Sequence, residues 1–155
     1  EAIGVENTFD KINKAIGTHL FCKAMPLIIT DRGGEFKHPD ALECGIDNIL
    51  RTNIYYCDPM ASWQKPHCEK NHEYIRKICP KTITPFDRLT QNDVNLMMSH
   101  INSSCRESLG GLTPFTLAKM MLPKELLDFF GLIEIPADEV ILTPALLKGK
   151  IEVNA

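Results

Sequence analysis

Two acidic residues, Asp31 and Glu69, stand where carboxylates can do metal chemistry. Asp31 follows the short apolar run Leu27-Ile28-Ile29-Thr30, at the mouth of a predicted strand. Glu69 falls in the first turn of a predicted helix, just after an extended segment. Hard oxygen ligands on neighbouring elements can grip a magnesium ion, which accepts one or two carboxylates and keeps several waters. Paired metals of that kind can clamp both the attacking and the leaving oxygen of a phosphoryl transfer. The two acids therefore point to part of a nucleic-acid-processing site. Acids after strands and in first helical turns are common, and a first-turn carboxylate also complements the helix dipole. The surrounding pattern has to carry the reading.

The elements that would position these acids follow from periodicity and punctuation. Val5, Phe9, Ile12 and Ile16 form a helical stripe, closed by Gly17. Met25 to Thr30 is predicted as a buried strand. Pro39 opens a helix whose apolar face is Ala41, Leu42 and Ile46. The β-branched and aromatic run Asn53 to Cys57 is a second strand, broken by Asp58-Pro59. A loop carries Trp63, and a helix runs from about His67 to Cys79. Thr90 is an N-cap with Asp93 as its capping-box partner, and Val94, Met97, Met98, Ile101 and Cys105 line one face of that helix. The two methionines read as core filler. Thr113-Pro114 and Leu122-Pro123 open two more helices, the last reaching about Phe130. The tail from Ile135 has few periodic cues. This is an α/β order with few strands, so further strands are expected upstream of Glu1.

Composition narrows the class. The chain has 155 residues, 44% hydrophobic and 24% charged, which suits one soluble domain. No apolar run approaches the roughly 20 residues of a membrane span, so no membrane partner is expected. The chain opens Glu-Ala-Ile-Gly, without a basic signal region or a starting Met, and reads as a piece of a longer chain. The net charge of −3 argues against a whole-surface nucleic-acid binder, but averages hide local fields. From Trp63 to Arg88, Lys65, Lys70, Arg76, Lys77, Lys81 and Arg88 outnumber Glu69, Glu73 and Asp87, a local balance of +3. From Met120 onward acidic residues dominate. The six cysteines form no Cys-x-x-Cys, and His67-Cys68 with His72 matches no common zinc spacing. Reduced, mostly buried thiols in a cytoplasmic protein are expected.

The ordered motifs resemble the integrase-core region of bacterial DDE transposases, specifically the insertion-sequence family numbered thirty. That family's TDNG-x-EF run around its second catalytic Asp is matched by Thr30 to Phe36. Its Y-x-DP-x-x-SWQ stretch is matched by Tyr56 to Gln64. Its G-x-x-EN-x-N/H-x-x-x-R run around the catalytic Glu is matched by Pro66 to His72 with Arg76. Leu89 to Asp93, Asn102 to Gly110, and Thr113-Pro114-Phe115 resemble its downstream LT-x-x-D, N-x-x-PR-x-x-LG and TP stretches. The likeness runs from about Asn7 to Leu122. Departures are Arg32 for Asn, Pro66 for Gly, Lys70 for Asn and Cys105 for Pro.

The resemblance implies a ribonuclease-H-like integrase core, N-terminally truncated, with additional C-terminal helices. Residues 1–122 would be a partial catalytic core and residues 123–155 a helical tail. It implies metal-dependent DNA cleavage and strand transfer in transposition, with two Mg2+ ions or Mn2+ in their place. Partners would be transposon ends and target DNA, with a homo-oligomer as the active complex, and the location would be bacterial, cytoplasmic and nucleoid-associated. Asp31 and Glu69 are the catalytic metal ligands in this reading. The family's first catalytic Asp belongs on a strand upstream of Glu1, and Asp10, inside a helical stripe, is no substitute. The isolated piece is then expected to be inactive. The alternative is a catalytically inactive transposase remnant that keeps DNA-binding or oligomerisation surfaces.

Lys65, Lys70, Arg76 and Lys77 are candidate phosphate contacts, which position DNA without reading sequence; the plain alternative is a solvated helix face. Trp63 is expected wedged into the core beside the catalytic helix, with base stacking as its functional alternative. Glu35 is expected in a structural salt bridge beside the site rather than as a ligand. Asn71 and His72 are supporting residues, His72 orienting the loop or the carboxylates. Glu73 is expected to pair with Lys77 at i, i+4.

Overall fold

The computed structural model describes residues 2–45, 47–81 and 86–149, apart from the side chains of Ala2, Ser62 and His67. The order is α1 (Ala2–Ile16), α2 (Thr18–Ala24), β1 (Leu27–Thr30), α3 (Pro39–Glu43), β2 (Asn53–Tyr56), α4 (Pro66–Ile78), α5 (Gln91–Asn102), α6 (Pro114–Met121) and α7 (Lys124–Phe130), with short 3-10 turns between. It is a mixed α/β fold, mostly helical, with a two-stranded sheet among the described residues. The chain divides into two compact units. The first holds residues 1–66 and 122–129, the second residues 67–121 and 130–155. Leu122, the expected end of the core region, is where the chain returns to the first unit.

In the first unit the predicted stripe of α1 does its work. Ile12 and Ile16 are buried with Phe21 and Leu126, and Phe9, Leu20, Met25 and Leu122 pack around them. Gly17 ends α1 at φ +78°, a left-handed conformation that glycine adopts without a Cβ penalty. The turn it makes lets α2 start at once. This short helix was not foreseen in the sequence.

β1 and β2 run parallel, with Leu27 opposite Asn53 and Thr30 opposite Tyr56. Both predicted strands form, but β1, expected to be buried, keeps only Thr30 buried. Alternation gives the sheet two unlike faces. Thr30 and Ile54 are buried on one, while Leu27, Ile29 and Tyr55 stand exposed on the other. β2 is anchored at its start. Thr52 Oγ1 donates to the Met25 carbonyl at 2.7 Å, and the Ile54 N–H donates to Glu43 Oε1, at the end of α3, at 2.8 Å. α3 is shorter than its apolar pattern suggests; Leu42 is buried, and Ile46 lies outside the described residues.

The second unit is built on α4 and α5. Ile78, Cys79, Met97, Ile101 and Leu147 form its core, with Leu142 and Leu146 packed alongside. The two methionines are core filler as expected, Met97 buried and Met98 partly so. Thr90 and Asp93 make the full capping box at the start of α5. Two side chains of α5 and that of its C-cap residue accept backbone N–H groups from the tail: Ser99 Oγ from Ile133 at 3.1 Å, His100 Nδ1 from Ile141 at 3.1 Å, and the C-cap Ser103 Oγ from Ile135 at 2.9 Å. Arg106, almost wholly buried, lays its guanidinium 3.4 Å from the centre of the Tyr74 ring and donates to the Ile101 carbonyl at 3.1 Å. No described helix is long and apolar enough to cross a membrane.

Candidate functional site

Asp31 is the first residue after β1, so the strand delivers its carboxylate to the sheet's C-terminal end. Both carboxylate oxygens are engaged. Oδ1 accepts the Gly33 N–H at 3.0 Å, and Oδ2 accepts from Lys65 Nζ at 2.8 Å. The Lys65 hydrogen bond, more than the Gly33 one, holds the Asp31 carboxyl below the usual carboxylate range. Asp31 is exposed, and the Lys65 ammonium is largely covered.

Gly33 explains the glycine pair that follows Asp31. A Cβ built there would stand 2.6 Å from Glu35 Oε2 and 3.0 Å from Asp31 Oδ1. The missing side chain leaves a cradle bordered by two carboxylates. Glu35 sits in the 3-10 turn Gly34–Phe36, and the expected salt bridge is not made: no ion pair of Glu35 occurs among the described residues. Its neighbour Phe36 is tied down by the Tyr56 hydroxyl, which donates to its carbonyl. The turn is thus fastened to β2.

The loop after β2 is closed by a reciprocal clasp. The Asp58 N–H donates to Gln64 Oε1 at 2.8 Å, and Gln64 Nε2 donates to Asp58 Oδ2 at 2.9 Å. Ala61 is buried beneath, while Met60, at φ +63°, projects outward. Trp63 is 74% exposed, which corrects the expectation of a core-wedged indole. The clasp turns the indole to solvent, and aromatic residue type alone could not reveal that.

Glu69 belongs to the second unit, in the first turn of α4 as predicted, and it is exposed. Lys70 Nζ pairs with Glu73 Oε2 at 2.6 Å, at i, i+3, so the expected Glu73–Lys77 pair is corrected. Lys77 instead lies 5.0 Å from the Tyr74 ring centre. Arg76, Asn71 and His72 are exposed. The His72 side chain makes no hydrogen bond to a described residue, so the orienting role expected for it has no partner here.

The site gathers Asp31, Glu35 and Lys65 within the first unit, while Glu69, Lys70, Arg76 and Lys77 fall in the second. Asp10 is committed elsewhere, paired with Arg51 at 2.7 Å. Among the described residues no three His, Cys, Asp or Glu side chains converge on one point. Two carboxylates beside the Gly33 cradle suit a single hard divalent ion that keeps most of its waters. They fall short of a two-metal clamp. The six cysteines are free thiols; only Cys57 and Cys79 are buried, fewer than expected.

The chain is 29% identical over 103 residues to the transposase for insertion sequence element IS4351 of Bacteroides fragilis, a match covering 66% of this chain and 30% of that transposase. Transposase InsI for insertion sequence element IS30A of Escherichia coli (strain K12) is 33% identical over 61 residues, 39% of this chain and 16% of InsI. The chain's relatives are insertion-sequence transposases, IS30 InsI among them. A putative integrase, ORF3 of Spiroplasma virus SpV1-R8A2 B, is 30% identical over 86 residues, 56% of this chain and 25% of ORF3. This transposase-like chain thus spans less than a third of the length of the curated relatives it matches. No protein-family model and no solved structure matches it.

Proposed function

We propose that this chain is part of the catalytic core of a DDE transposase with a ribonuclease-H-like fold, acting in metal-dependent DNA cleavage and strand transfer. The observation that carries the reading is Asp31 at the C-terminal end of a parallel strand pair, its two carboxylate oxygens accepting from Lys65 and Gly33. Similarity to transposases and to an integrase supports the DNA-processing class.

Asp31 and Glu69 would hold magnesium or manganese, with Glu35 at the edge of the Gly33 cradle as an added carboxylate. A bound divalent ion would supply charge neutralisation at a phosphate in transfer. The protein's own groups have separable tasks. Lys65 occupies Asp31 Oδ2 until a stronger cation competes for it. Arg76 and Lys77, on the last turn of α4, would meet phosphates. Trp63, held out by the Asp58–Gln64 clasp, would stack on an exposed base. DNA is then the partner, and the active complex a homo-oligomer.

The test is nicking of a transposon-end duplex in magnesium or manganese. A longer polypeptide restoring the upstream strand should cut, and its Asp31→Asn and Glu69→Gln variants should bind DNA without cutting. The 155-residue piece should not cut. Robust cutting by that piece, surviving Glu69→Gln, would overturn the assignment.

A further inference from the structure

The two glycines after Asp31 face opposite charges. A Cβ at Gly33 would meet Glu35 and Asp31 oxygens, whereas a Cβ at Gly34 would meet Lys37, its Cε at 3.7 Å and its Nζ at 4.0 Å. The Lys37 ammonium therefore leans back over backbone that carries no side chain. Arg32 and Lys37 are both exposed, and neither side chain makes a hydrogen bond or ion pair to a described residue. The acids of the loop do not take them. Lys65, from outside the loop, holds Asp31, and Glu35 makes no ion pair among the described residues. With Asp31 matched by Lys65, Arg32 and Lys37 outweigh Glu35. The loop is locally positive in a chain of net charge −3.

Gly34 has no positive φ, so its conformation is open to any residue. What its missing side chain provides is close approach to the backbone. A guanidinium and an ammonium beside bare backbone are donors suited to a phosphate. The same unit offers a base platform. Lys65 ties Asp31 to the 3-10 turn Ser62–Gln64, which carries the exposed Trp63. Bases in a duplex are already stacked, so an exposed indole suits an unpaired one. Arg32 stands where the matched family run has Asn, so this cation belongs to this chain and not to the likeness.

We propose that Arg32 and Lys37 clasp one phosphodiester of a single DNA strand over Gly34, with a base of that strand stacked on Trp63. The proposal rests on the DNA-processing reading above. It lies wholly in the first unit, uses none of the α4 cations and needs no divalent ion.

Trp63 is the chain's single tryptophan, so its fluorescence reports a strand bound there. An oligothymidylate added to the 155-residue chain in EDTA should quench it. Arg32→Asn with Lys37→Gln should weaken that binding roughly tenfold at low salt and flatten the log–log salt slope by about 1.4, the value for two phosphates of a single strand. Lys11→Gln with Lys14→Gln, at exposed positions of α1, should leave the slope unchanged. Absence of quenching, an unchanged slope in the Arg32–Lys37 variant, or equal flattening in the α1 variant would overturn the proposal. So would displacement of the strand by inorganic phosphate at constant ionic strength, which would mark a site for free anions. Nicking by the longer polypeptide separates this proposal from the reading beneath it. Cutting with an unchanged slope removes the strand site alone, and a flattened slope without cutting removes the catalytic reading and keeps the strand site.

Discussion

Arg51 is completely buried and closes on Asp10 at 2.7 Å, with its guanidinium beside the Phe9 and Phe21 rings at 5.6 and 5.5 Å from their centres. It also donates to the Ala41 and Leu42 carbonyls at 2.9 Å each. Removing one partner of a buried pair leaves a charge without compensation. Asp10→Ala should therefore cost about 2–3 kcal/mol in urea unfolding, below the roughly 3–5 kcal/mol of a fully buried pair because Asp10 is a third exposed. A loss below about 0.5 kcal/mol would mean that water satisfies Arg51 in the variant.

The Lys65 hydrogen bond is the largest cause that lowers the Asp31 carboxyl pKa. Lys65→Ala should move the Asp31 titration midpoint upward, toward the ordinary carboxylate range, as followed by carboxyl carbon chemical shifts. Gly33 remains as a second donor, so part of the depression should survive. A midpoint that stays put would assign the whole effect to Gly33.

His100 makes the second unit acid-sensitive. Burial lowers its pKa, with Glu139 opposing, and its Nδ1 must be unprotonated to accept the Ile141 N–H. The unfolded chain takes up the proton first as pH falls. Stability from this residue is complete above the ordinary histidine value of about 6.5 and is lost as pH drops through the lower folded value. His100→Gln should flatten that part of the urea-midpoint profile; an unchanged slope would place the sensitivity elsewhere.

The basic residues of α4 are not equivalent. Glu73 already neutralises Lys70, and its carboxylate raises the Lys70 pKa. Arg76→Ala with Lys77→Ala should reduce the salt slope of DNA binding by about two. Lys70→Ala alone should change it little. Equal effects from all three would show that DNA breaks the Lys70–Glu73 pair.

The sequence carried the elements better than the contacts between them. The two strands were readable because Leu-Ile-Ile-Thr and Asn-Ile-Tyr-Tyr-Cys are short β-rich runs bounded by Pro26 and Asp58-Pro59. The Thr90 box was readable because its reach is three residues. Helix α2 was not, since seven residues after Gly17 hold too little periodicity. The exposed Trp63 depends on a side-chain clasp between Asp58 and Gln64, and the choice of Lys70 over Lys77 by Glu73 depends on rotamers. Buried Arg51 looks like any surface cation until Phe9 and Phe21 close around it. At the site, the positions of Asp31 and Glu69 at a strand end and a helix start were legible. The Lys65 counter-ion and the Gly33 cradle required folded geometry.

The tail is fastened to α5 by its own peptide N–H groups at Ile133, Ile135 and Ile141, received by Ser99, Ser103 and His100. Such a fastening ignores which side chain the tail carries and forbids only the residue that lacks an N–H. Proline should be excluded at 133, 135 and 141, and at 139, whose N–H donates to the Pro136 carbonyl, while Pro136 itself stands where no N–H is needed. The tail can therefore drift widely in amino-acid identity while its path over the helix stays the same.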